Sequence, residues 1–175
     1  MSKREVYAEN RIVRLVETRS HDALDAFKNW QDPVTIKGFN GQHVKTLKQY
    51  KAKFENWEAG KWLFYAAIQE VATGDIIGSI SISHEPHDLS IWLYAPYRGQ
   101  QLGASAFSLA ANYAVEALEV GRLYAGVMED NLPGQALLKK CGFVPNPEGN
   151  YKTTHYETGE SFLELDHIYI PPWKF

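Results

Sequence analysis

A single cysteine, Cys141, stands in 175 residues, so no disulfide can form within the chain and nothing in the sequence points to an oxidising, extracellular setting. No apolar run approaches the ~20 residues needed to cross a bilayer. Met1 to Arg14 lacks the apolar core of a secretory signal. The expected setting is the cytoplasm, with no membrane partner. Excess positive charge is also missing. The 18 Lys and Arg against 21 Asp and Glu leave a net charge of -3, which argues against nucleic acid as a partner. The six histidines are scattered, and only His84 and His87 fall close together, so no metal is expected. Cys141, one residue before Gly142, reads as a packed, inert thiol rather than a nucleophile.

What is present suits a folded chain. Hydrophobic residues at 45% and aromatics at 13% are enough for one sizeable core, and no linker composition interrupts them, so residues 1–175 read as a single domain. Val13 and Leu15 mark a first strand, and Ser20 and Asp22 offer cap chemistry before a helix carrying Leu24 and Phe27. A further helix follows Gly41, with Val44, Leu47, Tyr50, Phe54 and Trp57 as its apolar stripe. Lys45, Lys48, Lys51 and Lys53 form its solvated face, and Gly60 ends it. Trp62 to Ile68 and Ile76 to Ser83 read as a hairpin turning at Thr73-Gly74-Asp75. Thr158-Gly159 separates a second pair of strands, the latter carrying Leu163, Leu165, His167 and Tyr169, with Pro171-Pro172 closing the sheet.

Between these pairs, Leu89, Ile91 and Leu93 alternate with Ser90, Trp92 and Tyr94, a half-buried strand that Pro96 stops. Leu102, Ala106, Leu109, Tyr113 and Ala117 then recur at helical spacing, so a long helix begins near Gln101. Its first N–H groups have no intrahelical partner and form the positive end of the helix dipole, where an anion is favoured. Gly99, Gly103 and Ala104 let such an anion approach the main chain, and Arg98 adds charge. A strand at Leu123-Tyr124-Ala125-Gly126-Val127-Met128 follows, then a short helix from Pro133 to Lys140 and Cys141-Gly142-Phe143. A glycine loop past mid-chain disfavours a dinucleotide-binding Rossmann unit, and no Gly-Lys-Ser/Thr follows to suggest a P-loop.

Arg98-x-x-Gln101-x-Gly103-Ala104 resembles the Arg/Gln-x-x-Gly-x-Gly/Ala loop of the GNAT superfamily, the acetyl-CoA-dependent N-acetyltransferases. Gln101 stands where that loop usually has its first glycine. Asn131 and Gly142-Phe143 resemble the family's Asn-x-x-Ser-(x)7-Gly-Phe stretch, with Gly134 in place of the serine. Trp30-Gln31-Asp32-Pro33-Val34, with the helix and Trp-bearing strand after it, is similar to the Rim-type branch, which includes ribosomal-protein N-terminal acetyltransferases. The resemblance implies an α+β fold: a mixed, mostly antiparallel central sheet with helices on both faces, and splayed central strands holding acetyl-CoA. It also implies that Leu93, Tyr94, Arg98, Gly99, Gln100, Gln101, Leu102, Gly103 and Ala104 bind the co-substrate. Asn131 and Gly134 would join them at the pantetheine, Asn131 reading equally as a helix N-cap.

The implied chemistry is attack of a neutral amine on the thioester. Asp88 aligns with the family's frequent glutamate at the head of the central strand and is the first candidate base, its alternative being a turn residue after Pro86-His87. His84 and Glu85 are reserve bases, and Gly126 stands where some members carry a glutamate. N–H groups near Leu93 and Tyr94 would face the oxyanion. Leu138 occupies the position of the tyrosine that many members use to protonate the leaving thiolate, which leaves Tyr94, water or an unassisted departure for that step. Loops at Phe39-Asn40-Gly41 and Tyr151 to Tyr156 would wall the acceptor, and their aromatic content fits core packing or a homodimer contact equally well. Protein amino termini, polyamines, aminoglycosides and small amino compounds are all open as acceptors. A non-catalytic acyl-CoA sensor and a structural interaction module are the rival readings.

Overall fold

The computed structural model describes residues 3–58 and 60–171, the side chains of residues 54–58 excepted. Five strands pair antiparallel in chain order: β1 (Val6–Glu9), β2 (Val13–Val16), β3 (Trp62–Glu70), β4 (Ile76–Ser83) and β5 (Leu89–Leu93). A second group, β6 (Leu123–Met128), β7 (Val144–Pro145), β8 (Tyr151–Thr154) and β9 (Ser161–Tyr169), is built around β9, which pairs antiparallel with the other three. Both predicted hairpins, β3–β4 and β8–β9, form where the turn residues place them. β1 went unseen because it is a four-residue edge strand whose half-buried and exposed positions give no alternation to read.

The helices are α1 (Asp22–Trp30), α2 (Pro33–Gly38), α3 (Leu47–Glu58), α4 (Leu102–Glu116) and α5 (Leu132–Lys140). On one face of the sheet, Ala106, Phe107, Ala110 and Ala114 of α4 pack with Ile80, Ile82, Val127 and Leu138 in the main core. The alanines bring the helix axis close to the strands. On the other face, Trp30, Tyr50, Trp92 and Tyr94 form a second, aromatic cluster under α1 and α3, with Trp30 stacked on Phe39 at 4.3 Å. Each fully buried large side chain contributes roughly 2–3 kcal/mol. This is the expected α+β arrangement with helices on both faces.

Several local expectations need correction. Ser20 and Asp22 do not cap α1; His21 is its N-cap, with no side-chain bond. The Asp22 carboxylate instead accepts from Arg4 (2.5 and 2.7 Å) and from the Arg19 N–H (2.8 Å). Lys53 is not simply solvated but lies over the Trp30 ring at 5.2 Å, and burial lowers its pKa. The Phe54 and Trp57 side chains and Pro172 lie outside the described residues. Among those residues, no helix is long and apolar enough to cross a membrane.

The two groups of strands meet at one point. β5 and β6 run parallel and touch through a single bridge between Asp88 and Tyr124, where the Tyr124 N–H donates to the His87 carbonyl at 2.9 Å. Beyond it no ladder joins the two strands among the described residues.

Candidate active site

Past the bridge, a cleft of about 380 Å³ opens between the end of β5, the start of α4 and α5. Ile91 and Leu93 form its floor, Arg98, Gly99, Gln101, Gly103 and Ala104 one wall, and Pro133, Ala136, Leu137 and Lys140 of α5 the other, whereas Gln100 does not line it and Leu102 is buried in the core, against expectation. Tyr94 N–H donates to Ile77 O (2.9 Å) and Ser83 N–H donates to Asp88 O (3.0 Å), so even-numbered residues of β5 turn their peptide groups to β4. Ile91 and Leu93, in the opposite phase, turn theirs to the cleft. The Tyr94 N–H is therefore spent within the sheet, which corrects its expected place at an oxyanion, whereas Leu93 keeps that direction.

The turn before α4 is tighter than its sequence suggests. Gln101 is not helical: it is the N-cap, in the left-handed region at φ 64°, and the helix starts at Leu102. A non-glycine residue there costs about 1 kcal/mol. No side chain caps α4, so its first N–H groups open onto the cleft. Gln100 Nε2 donates to Pro96 O at 2.7 Å and holds the turn. Gly99, at φ +73°, has open space around it, whereas a Cβ on Gly103 would crowd Leu93 at 3.1 Å and Leu137 at 3.2 Å. Cys141 Sγ donates to Ala104 O at 3.6 Å, and burial pushes its thiol up, as a packed cysteine requires.

Arg98 borders the cleft, but its guanidinium turns to α2. It contacts Asp32 (2.8 Å), Thr35 Oγ1 (2.6 Å) and Leu93 O (3.1 Å). Burial pushes the Asp32 carboxyl up, yet bonds from Arg98 and Thr35 outweigh it and hold Asp32 below its usual value. The same Asp32 caps α2 by accepting from Thr35 N–H, and Trp92 Nε1 donates to Thr35 Oγ1 at 3.2 Å. The charge expected for an anion is thus committed to an ion pair. Lys140, one turn beyond Ala136 and Leu137 on the same helical face, is a cation at the cleft that sequence reasoning missed.

Asn131 is the N-cap of α5, its Oδ1 accepting from Gly134 N–H at 3.0 Å. A Cβ at position 134 would meet Val127 at 2.7 Å and Asn131 Nδ2 at 2.8 Å, so a serine there would displace the cap.

Asp88 does not line the cleft and sits at the bridge itself. Burial pushes its carboxyl up, the Ser90 hydroxyl (3.1 Å) pulls it back, and Glu164 and Asp166 push again, leaving it at about 6. His84 and Glu85 are exposed in the preceding turn, with Glu85 Oε1 3.1 Å from His87 Nε2. Glu164, from β9, was missed. Its carboxylate fills the space over Gly126, where any Cβ would collide with it.

On the aromatic face lies a pocket of about 240 Å³, walled by Phe39, Trp62, Tyr65 and Trp92 and edged by the hydroxyls of Ser79, Ser81 and Ser90. Ile91 borders both spaces. The Trp62 Nε1 is buried without a partner among the described residues. The two expected acceptor loops meet, Tyr156 N–H donating to Asn40 O at 2.6 Å and Asn40 Nδ2 to Thr153 Oγ1 at 3.2 Å. Tyr94 lies elsewhere, in a depression with Asp22 and Asp25, and burial raises its hydroxyl pKa. Leu138 is buried. Among the described residues no group of three or more His, Cys, Asp or Glu could hold a metal.

No curated protein matches the chain in sequence. Solved structures do match its fold. A GNAT-family acetyltransferase from Bacillus anthracis is 15% identical with a TM-score of 0.79, covering 93% of this chain and 97% of that one. A spermidine N-acetyltransferase from Vibrio cholerae, in complex with CoA and spermine, is 12% identical with a TM-score of 0.78, covering 92% and 96%. RimL, a ribosomal L7/L12 α-N-protein acetyltransferase, is 13% identical with a TM-score of 0.78, covering 97% and 96%. At these identities the likeness shows the fold. The model of the acetyltransferase (GNAT) domain matches residues 12–144, well over half of the chain, and the chain therefore belongs to the GNAT family of N-acetyltransferases.

Proposed function

We propose that residues 1–175 act as one cytoplasmic catalytic domain of the Rim-type branch that transfers the acetyl group of acetyl-CoA to a primary amine. The observation that carries this is the cleft between the end of β5 and α5, with the uncapped N-terminus of α4 on one wall. Residues 99–104 bind the diphosphate through main-chain N–H groups, with Lys140 close by. The pantetheine lies against Ile91 and Leu93 as an added strand would, and Asn131 and Gly134 line its far side.

The acceptor enters from the aromatic face. An ammonium group with a pKa between about 8 and 10.4 must lose a proton before it attacks. Asp88 takes that proton, being half-buried, unpaired by any cation among the described residues, and poised at about 6. The neutral nitrogen attacks the thioester carbon, and the Leu93 N–H faces the developing oxyanion. The C–N bond forms, the C–S bond breaks, and the departing thiolate takes the proton left on nitrogen. With Leu138 buried and Tyr94 in a separate depression, water carries that last proton.

The same missing tyrosine favours a second reading, a sensor that binds acyl-CoA without turning it over. CoA release over a panel of primary amines, alongside calorimetric binding of acetyl-CoA, tests both. Release with at least one amine is the expected result. Binding without release supports the sensor, and no binding overturns the site.

A further inference from the structure

Asp88 lines neither the cleft nor the aromatic pocket, so an amine held in either space does not touch its carboxylate. The strand itself supplies what lies between. Side chains two apart on a strand share a face at a spacing of about 7 Å. On this strand that face carries Asp88, just before β5, then Ser90 and Trp92. Trp92 walls the aromatic pocket, Ser90 edges it, and Asp88 stands beyond the edge. A carboxylate takes a proton only from about 2.6–3.2 Å away, or through one intervening group. Ser90 is that group: its Oγ lies 3.1 Å from Asp88 Oδ1.

The direction of the Ser90 hydroxyl is set by its partner. An ionised carboxylate only accepts, so the Ser90 O–H is given to Asp88 and its lone pairs are left for the pocket, where Ser90 is exposed. Ser79 and Ser81, across from Trp92 and Ser90 on β4, also border the pocket. Neither makes a hydrogen bond to a titratable side chain among the described residues, so Ser90 alone joins this space to a base. Ile91, next to Ser90, borders both the pocket and the cleft, which puts the hydroxyl where the two spaces meet.

We propose that Ser90 is a catalytic residue of the transfer, a hydroxyl relay that carries the acceptor's proton to Asp88. This rests on the proposed transfer to an amine. An ammonium N–H donates to Ser90 Oγ, and as its proton forms a new O–H bond the hydroxyl's own proton passes to Asp88 Oδ1. One N–H and one O–H bond break and two O–H bonds form. The ammonium becomes a neutral amine, the carboxylate a neutral acid, and Ser90 is uncharged before and after. The nitrogen then attacks the thioester carbon, and Asp88 returns its proton to water before the next turnover. A hydroxyl built into a strand does this without the immobilisation that a bridging water requires.

The test measures single-turnover CoA release from acetyl-CoA with spermidine, tyramine and a peptide bearing a free amino-terminal serine, using the full chain. Ser90→Ala is expected to slow release by about 100-fold, the low end for general-base assistance because water can enter the space left, with the acetyl-CoA Kd unchanged. Ser90→Thr keeps the hydroxyl and should recover most of the rate. The double variant Asp88→Asn/Ser90→Ala should be no slower than Asp88→Asn alone, because both changes break one path, whereas independent roles would multiply. A Ser90→Ala rate within about threefold of wild type, or multiplied losses in the double variant, overturns the relay while leaving the proposed transfer standing. A wild-type enzyme that binds acetyl-CoA but releases CoA with none of the three amines overturns both.

Discussion

Removing the charge of Asp88 should strengthen the fold and weaken the enzyme. Its folded pKa of about 6 lies above the ordinary 3.8, so the folded state holds the proton more tightly than the unfolded chain does. The stability this contributes is complete below pH 3.8 and is lost as the pH rises through 6. At pH 7 the ionised, half-buried carboxylate costs at most roughly 3 kcal/mol. Asp88→Asn should therefore melt at a higher temperature than wild type at pH 7, the difference vanishing near pH 3.5, as calorimetry would show. Turnover of the same variant should fall by about 10²- to 10⁴-fold, and the wild-type rise in kcat/KM through pH 6 should flatten. Asn131 makes a different test. Asn131→Ala removes the cap of α5 at about 1 kcal/mol and, if the amide also meets pantetheine, raises the acetyl-CoA Kd. A stability loss with unchanged affinity would reduce Asn131 to a cap.

The Arg98–Asp32 pair ties α2 to the turn before α4, so one wall of the cleft and one wall of the aromatic pocket are held by the same bond. Asp32→Asn keeps an N-cap for α2 but removes the charge, and should cost about 2–3 kcal/mol in denaturant unfolding because it leaves a half-buried guanidinium unpaired. Gly103→Glu puts bulk against Leu93 and Leu137 and negative charge at the anion-binding end of α4. It should abolish acetyl-CoA binding in a protein that retains wild-type circular dichroism. These elements were legible in the sequence to different degrees. The alternation of β5 and the four-residue steps of α4 announce themselves, because one face of each is buried, while β4, buried on both faces, shows in its run of isoleucines. The turn at Gln101 did not, since nothing local says that a glutamine accepts a positive φ. Arg98 was legible as a cation near the loop, but its partner Asp32 comes from a distant segment. Glu164 was hidden for the same reason: its place over Gly126 depends on the register of β6 with β9, which no spacing within either strand reveals.

Across the molecule, element order was enough to read the antiparallel meander, the strand-helix-strand-helix middle and the closing hairpin, and hence the layering of helices on both faces. The order of elements did not reveal how little connects the two halves of the sheet. A ligand lying between β5 and β6 touches both halves, so acetyl-CoA at 100 times its Kd should stabilise the protein by about 2.7 kcal/mol. Amide hydrogen exchange should slow on both strands together, and a slowing confined to β5 would argue against binding between them. The lone bridge at Asp88 has a physiological corollary. With a single bridge across the seam among the described residues, a coenzyme bound as proposed would act as a removable fastener, and proteolytic lifetime would become a gauge of acetyl supply. Limited proteolysis should run about 100-fold slower at that same excess of acetyl-CoA wherever cleavage waits on opening. In a cell starved of acetyl units the chain would then be cleared faster, so that the amount of enzyme follows the amount of its substrate without any dedicated regulator.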